Sequence, residues 1–375
     1  MSTLFQQLPS LAKAFGKPIT TAPQPAVILA EGAFQTPRAK VAHGLVRGTS
    51  RFDVRAVVDS TCSGSDAGVL LDGRPTGIRV VADLAGARAL ADGPRRPAAI
   101  LGVAPHGGRL SADLHAEIVR TLQHGFDIVC GLHDFLCDDP VIAPLAARLG
   151  ASLTDVRKPP SDRPLRYWTG EVTDLRATRI AVLGTDCMVG KRTTSRLLVE
   201  ALKKTGTSAE MIHTGQTGWM QGGRFGIVLD SLPSDFIAGE IEGAMLACSA
   251  EADPDVMVLE GQSGLRNPSG CGAGSRGIMV AGDSHAVVLQ HSPARVYFDG
   301  LEDRGFRIPD VVDEVSLLER FDRPVIAVTI NTQGMDPASV DSECARLENQ
   351  LGRPVVAPFE HGLNRVVEAV RNIGA

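Results

Sequence analysis

The strongest chemistry in this sequence lies in Gly184-Thr185-Asp186-Cys187-Met188-Val189-Gly190-Lys191-Arg192-Thr193-Thr194. The preceding Arg179-Ile180-Ala181-Val182-Leu183 is a short apolar run that reads as a buried parallel strand. The following Ser195 to Lys204 places Leu197, Leu198, Ala201 and Leu202 on one helical face. Strand, glycine loop, lysine and helix in that order make a phosphate-binding loop, because loop amides and the helix N-terminus aim donors at an anion while the lysine adds charge. Gly184, Thr185, Asp186, Val189, Gly190, Lys191, Arg192, Thr193 and Thr194 are therefore the expected cofactor contacts. The two glycines stand one residue further apart than in the common G-x-x-x-x-G-K-[ST] spelling. Arg192 fills the slot where Ser or Thr would hold Mg²⁺, which leaves Thr193 as an alternative ligand. The competing reading is a glycine turn beside an ordinary helix lysine.

Other chemical groups fall at strand ends. Asp255 to Leu259 reads as a strand that delivers Glu260 onto the glycine turn Gly261-Gln262-Ser263-Gly264. Glu260 is the expected general base, with a metal ligand or a plain surface carboxylate as its alternatives. His213, at the end of a strand over Ser208 to Ile212, is the rival base, and Gln216 beside it is a candidate substrate contact. Asn331 ends the strand Val325 to Ile330 and joins the cofactor set. The stretch Gly270-Cys271-Gly272-Ala273-Gly274-Ser275-Arg276-Gly277 spells G-x-G-x-x-G without a strand before it, so it is no dinucleotide motif. Its neighbours Arg266 and Arg276 are the candidates for binding substrate carboxylates, since a guanidinium offers a planar two-pronged fit. Cys187 has no identifiable base. Asp230 and Asp235 could orient an ammonium group, though the expected role is capping a helix over Phe236 to Cys248. His285 and His291 lack ligand-like spacing, and no metal site is expected.

These residues need a scaffold of alternating elements, and the chain supplies one. Ala26 to Ala30, Val54 to Val58, Ile78 to Val81, Ala98 to Val103 and Asp127 to Cys130 read as strands, with helices from Ser111 to His124 and from Pro140 to Gly150. The expected fold is α/β throughout: a Rossmann-like parallel-sheet domain over 1–157, a proline-rich linker over 158–170, and a P-loop α/β domain over 171–375. The first βα turn, Glu31-Gly32-Ala33-Phe34, lacks the glycine spacing for NAD. In open sheets of this kind ligands bind at the carboxyl ends of strands, which gathers Lys191, His213, Glu260 and Asn331 on one rim.

With 375 residues and a formal charge of −5, the chain has room for sizeable cores and no general attraction for nucleic acid or anionic membrane. Seven cysteines without a C-x-x-C pair suit a reducing cytoplasm rather than a disulfide framework. No apolar run reaches the roughly 18 residues of a membrane span, and the first residues do not read as a secretory signal. Leu4, Leu8, Leu11 and Phe15 form the seam of a short amphipathic helix expected to pack on its own domain or on a second subunit. A homo-oligomer acting on a small amino acid is the expected assembly.

The loop G-T-D-x-x-V-G-K and the Glu260-Gly261-x-x-Gly264 turn resemble dethiobiotin synthetase, where the glutamate belongs to the metal and phosphate site. His213 and Gln216 stand where that enzyme has a second catalytic lysine. Over the whole chain the stretches AAILGVAPHGGRL, GFDIVCGLHDFLCDDP, GTDCMVGKRTT, HTGQTGW and VLEGQSGLRNPSG resemble the D-glutamate N-acetyltransferase family. That resemblance implies a Rossmann-like N-terminal domain, a P-loop C-terminal domain and acetyl transfer from acetyl-CoA to a D-amino acid. Two alternatives stay open: an Mg-ATP-dependent ligase or kinase of the dethiobiotin synthetase kind, and a nucleotide-binding regulator without catalysis.

Overall fold

The computed structural model describes residues 22–160, 163–270 and 273–373. The amphipathic seam Leu4, Leu8, Leu11 and Phe15 lies outside the described residues. The chain folds as two compact α/β units.

The first unit holds strands β1 (Gln24–Leu29), β2 (Phe52–Val58), β3 (Arg79–Val81), β4 (Ala98–Leu101), β5 (Asp127–Cys130) and β6 (Leu153–Asp155). They form one sheet in the order β3-β2-β1-β4-β5-β6, with every pairing parallel. This is the doubly wound order, whose direction reverses between β1 and β4. Ser111 caps the helix Ala112–Gln123 by accepting from the Leu114 amide, and Gly150 closes the helix Ile142–Leu149 in the left-handed region. Asp59, at the end of β2, accepts from the Phe34 amide and from both the amide and hydroxyl of Thr61. The acidic position that reads a ribose in dinucleotide folds is thus engaged locally.

The second unit holds β7 (Thr178–Gly184), β8 (Ala209–His213), β9 (Phe225–Gly226), β10 (Val256–Glu260), β11 (Ala286–His291), β12 (Val325–Ile330) and β13 (Val355–Val356). Its order is β13-β12-β11-β7-β10-β8-β9, again all parallel. Alternation along β7 divides its side chains between the two faces. Ile180 and Val182 pack with Leu198 and Leu202 of the helix Lys191–Lys204 and with Val366, Val367 and Val370 of the helix Asn364–Arg371. Ala181 and Leu183 pack with Ile241, Ala244 and Met245 of the helix Ser234–Ala252. Each fully buried Val or Leu is worth about 1.5–3 kcal/mol, which is why a strand covered on both faces reads as an unbroken apolar run. No helix among the described residues is long and apolar enough to cross a membrane.

The segment Gln216–Gly223 follows β8 in sequence yet groups with the first unit. There Gln221 donates to the Gly44 carbonyl, the Arg51 guanidinium lies 3.9 Å from the Trp219 ring centroid, and Met220 enters the core. Asp235 does not cap its helix, whose N-cap is Pro233 without a side-chain bond.

The acids of that helix instead fasten the chain that enters the second unit. Glu240 takes both Nη atoms of Arg163 at 2.7 and 2.6 Å and the Arg166 amide, while Glu242 takes the Thr169 amide and hydroxyl and the Val172 amide. Gly239 admits this backbone, since a methyl group there would lie 2.2 Å from the Arg166 carbonyl oxygen. Burial alone would raise the Glu240 carboxyl, but Arg163 and the Arg166 amide hold it below the usual range. Its stabilisation is therefore complete above the ordinary carboxylate range and lost as pH falls through the depressed value. Glu240→Ala should cost about 3 kcal/mol at neutral pH and much less in acid, read by chemical denaturation across pH. A loss that does not shrink in acid would contradict the ion-pair account.

Candidate functional site

The phosphate-type loop leaves β7 at Gly184 and enters its helix at Lys191. Close packing dictates its glycines. A methyl group on Gly184 would lie 2.8 Å from Cδ of Lys191 and 2.9 Å from Cγ2 of Val189, and Gly190 adopts φ +112°. Lys191 is 7% exposed, and its Nζ donates 2.6 Å to the Asp186 carbonyl, so the lysine closes the loop on itself. The Thr185 amide donates to the Gln290 carbonyl at the end of β11, tying the loop to the neighbouring strand.

The loop after β10 crosses immediately beside it. A methyl group on Gly261 would lie 2.4 Å from the Val182 carbonyl oxygen and 3.1 Å from Cδ of Lys191; one on Gly264 would lie 2.5 Å from the Thr185 oxygen. These glycines are what let Glu260 reach the phosphate-type loop. Glu260 is 5% exposed and accepts the Thr214 amide at 3.1 Å. Burial pushes its carboxyl above the ordinary range, opposed by Arg192, the Thr214 N–H, Lys191 and the Gly215 N–H. Gln262 donates to the Thr214 hydroxyl, which itself donates to the Glu260 carbonyl. Asn331 stands beside Gly190, with its Nδ2 4.0 Å from the position a methyl group there would take.

The structure thus brings Lys191, Arg192, Glu260 and Asn331 to one rim, while four other expected residues are engaged differently. His213 is buried at the end of β8, where a methyl group on Gly226 of β9 would lie 2.5 Å from ring Cγ. Gln216 lies against Gly131 in the first unit, where a methyl group would fall 2.2 Å from its Oε1, so its amide is a packing element there. Arg266 donates its Nε to the buried carboxylate of Glu314 at 2.6 Å. Thr194 gives its hydroxyl to Gln290 at 2.5 Å, within the core. Arg276 is exposed on the helix Ala273–Ala281, and Thr193 is half-buried.

Arg192 takes the slot of a metal-holding hydroxyl, Lys191 and Arg192 lie beside Glu260, and the half-buried Thr193 is the hydroxyl that could still serve Mg²⁺. The first unit has a cavity of about 810 Å³ at the carboxyl ends of β1, β2, β3 and β4, lined among others by Glu31, Asp83, Glu117 and Arg120. None of the expected site residues lies in it.

Sequence reasoning missed the partners of Asp186. Its carboxylate, fully buried, accepts from Asn267, from Arg295 and from the Asp299 amide. Asn267 was within reach, since it sits in the glycine turn after Glu260. Arg295 and Asp299 carry no motif and could be found only from the fold.

A Rossmann-like sheet and a P-loop sheet on one chain define a two-domain α/β protein built around an anion-binding loop. The chain belongs to the DUF1611 family: residues 166–367 match the domain of unknown function described as the DUF1611_C P-loop domain, and residues 60–159 match the DUF1611_N Rossmann-like domain. Its relatives include D-glutamate N-acetyltransferase from Tritonibacter scottomollicae, 31% identical over 278 residues that cover 72% of this chain and 80% of that one. The protein of the same name from a Pseudoalteromonas species is 29% identical, over 72% and 79% of the two chains. The crystal structure of a DUF1611 family protein from Anabaena variabilis ATCC 29413 superposes with a TM-score of 0.83 at 25% identity, covering 93% of this chain and 99% of that one.

The crossing of the two loops makes a sharp contrast between glycines of one unit. Gly264→Ala must displace loop backbone and should cost about 1–3 kcal/mol. Gly277→Ala, whose methyl group would meet only Ile237 and Ile241 at 3.6 and 3.8 Å within a helix, should be neutral or stabilising by up to about 1 kcal/mol. Thermal unfolding of both variants checks this, and equal midpoints would contradict the packing.

Proposed function

We propose that this protein is an N-acetyltransferase that moves the acetyl group of acetyl-CoA to the amine of a D-amino acid, D-glutamate in the first instance. The observation that carries the reading is kinship with two D-glutamate N-acetyltransferases across most of both chains. The rim of the second unit is chemically suited to it. Coenzyme A carries a diphosphate, and the loop offers amides, a helix N-terminus, Lys191 and Arg192 for such an anion. A guanidinium in the metal slot supplies positive charge to the diphosphate without Mg²⁺.

Acetyl transfer begins with loss of a proton from the substrate ammonium, since only the free amine attacks a thioester. Glu260 is the group proposed to take it. A carboxylate is a weak base for an amine, and burial moves this one in the useful direction. The amine nitrogen then bonds to the acetyl carbon, the carbonyl oxygen gains the charge, and collapse breaks the carbon–sulfur bond. The thiolate leaves and takes up the second proton, which the nitrogen gives up as the amide forms, so the balance is amino acid plus acetyl-CoA to N-acetyl amino acid, CoA and one proton. Cations and N–H donors at this rim suit the developing oxyanion.

The test is thiol release from acetyl-CoA with D-glutamate for the native protein and for Glu260→Gln, which keeps shape and loses basicity. The variant should bind acetyl-CoA as before and turn over about 10²–10⁴ times more slowly. In the native protein kcat should fall on the acid side starting above the usual carboxylate range, because Glu260 must be ionised to act. Near-normal turnover of the variant would remove Glu260 from the mechanism. Thiol release absent with every D-amino acid, beside Mg-dependent ATP hydrolysis, would replace the acetyltransferase reading by the ligase one.

A further inference from the structure

An aspartate inside an anion-binding loop is an electrostatic contradiction. Asp186 follows the first loop glycine by two residues, and an unbalanced carboxylate there would repel a diphosphate. The structure resolves this by burying the side chain completely and surrounding it with donors from two other loops. Asn267, from the loop after β10, donates its amide to Oδ1. Arg295, from the segment after β11, donates Nη1 to Oδ2 at 3.1 Å, and the Asp299 amide of the same segment donates to Oδ2 at 2.8 Å. The same Nη1 of Arg295 also reaches the Cys187 carbonyl at 2.6 Å, while Lys191 holds the Asp186 carbonyl. β10, β7 and β11 are adjacent in the sheet, so the carboxylate of Asp186 joins the loops that leave three neighbouring central strands.

We propose that Arg295 is a positioning residue for the phosphate-type loop: it neutralises Asp186 and, with Asn267 and the Asp299 amide, holds the loop in its ligand-ready shape. Asp186 then acts as the anchor of the loop and not as a ligand contact. The functional consequence rests on the reading that this loop takes the diphosphate of acetyl-CoA; the mechanical one does not. Preorganised donors bind an anion without first ordering a loop, so losing the brace weakens cofactor binding while leaving the chemical step alone.

The experiment uses Arg295→Met and the milder Arg295→Lys, with Asp186→Asn as a second route to the same lesion. Hydrogen exchange of the unliganded protein reads the mechanical part. Peptides spanning residues 184–190 should exchange about tenfold faster or more in Arg295→Met, as expected for losing a charge-assisted contact, while β7 and β10 stay protected. Kinetics read the functional part: KM for acetyl-CoA raised about tenfold, with kcat and the KM for the amino acid nearly unchanged, and partial recovery in Arg295→Lys. Combining Arg295→Met with Asp186→Asn should be no worse than the worse single variant, because both remove the same interaction. Unchanged exchange over 184–190 in all three variants would overturn the brace, as would strictly additive effects. Faster exchange in the variants, with no acetyl-CoA-dependent activity at all in the native protein, would leave the brace standing and sink the acetyltransferase reading instead.

Discussion

Two buried carboxylates beside an anion-binding loop set the terms for the second unit. Glu260 and Asp186 are nearly or wholly out of solvent, and each would cost several kcal/mol if left unmatched. The chain answers with opposite charge and N–H donors brought from different strands: Lys191 and Arg192 toward Glu260, Arg295, Asn267 and the Asp299 amide toward Asp186. Meeting both demands at once requires the loops after β7, β10 and β11 to pass within contact distance. That in turn requires glycine at 184, 261 and 264, where a single methyl group would fall inside neighbouring atoms.

The same balance explains how a phosphate-type loop with arginine in the metal slot keeps chemical sense. In a loop built around Mg²⁺, a hydroxyl and an acid next to the lysine hold the ion. Here Arg192 stands in the slot of that hydroxyl, and Lys191 and Arg192 oppose the burial that raises the Glu260 carboxyl.

Much of the scaffold was legible because it rests on local rules. The apolar runs at Ile180–Leu183 and Val256–Leu259 could only be doubly covered parallel strands, and Gly184, Gly190 and Lys191 had a strand before and a helix after. The short strands β6, β9 and β13 were not legible; two or three residues carry no periodicity, and only pairing with a neighbour makes them strands. The site was half readable. Lys191, His213, Glu260 and Asn331 followed from the rule that strand ends meet on one rim, whereas Arg266 and Gln216 were chosen by type and proximity in sequence. The neighbours of Arg266 and Gln216, Glu314 and Gly131, lie far along the chain, and no local pattern announces such contacts. Arg295 is the converse case: an arginine without a motif that tertiary structure places against Asp186.

The proposed binding of the acetyl-CoA diphosphate rests on protein cations rather than on a divalent metal. Isothermal titration of acetyl-CoA into the protein, in EDTA and again with excess Mg²⁺, tests it most directly. The account predicts the same affinity in both buffers and a loss of about tenfold or more in Arg192→Ala. Binding that appears only with Mg²⁺, or that Mg-ATP achieves and acetyl-CoA does not, would contradict it.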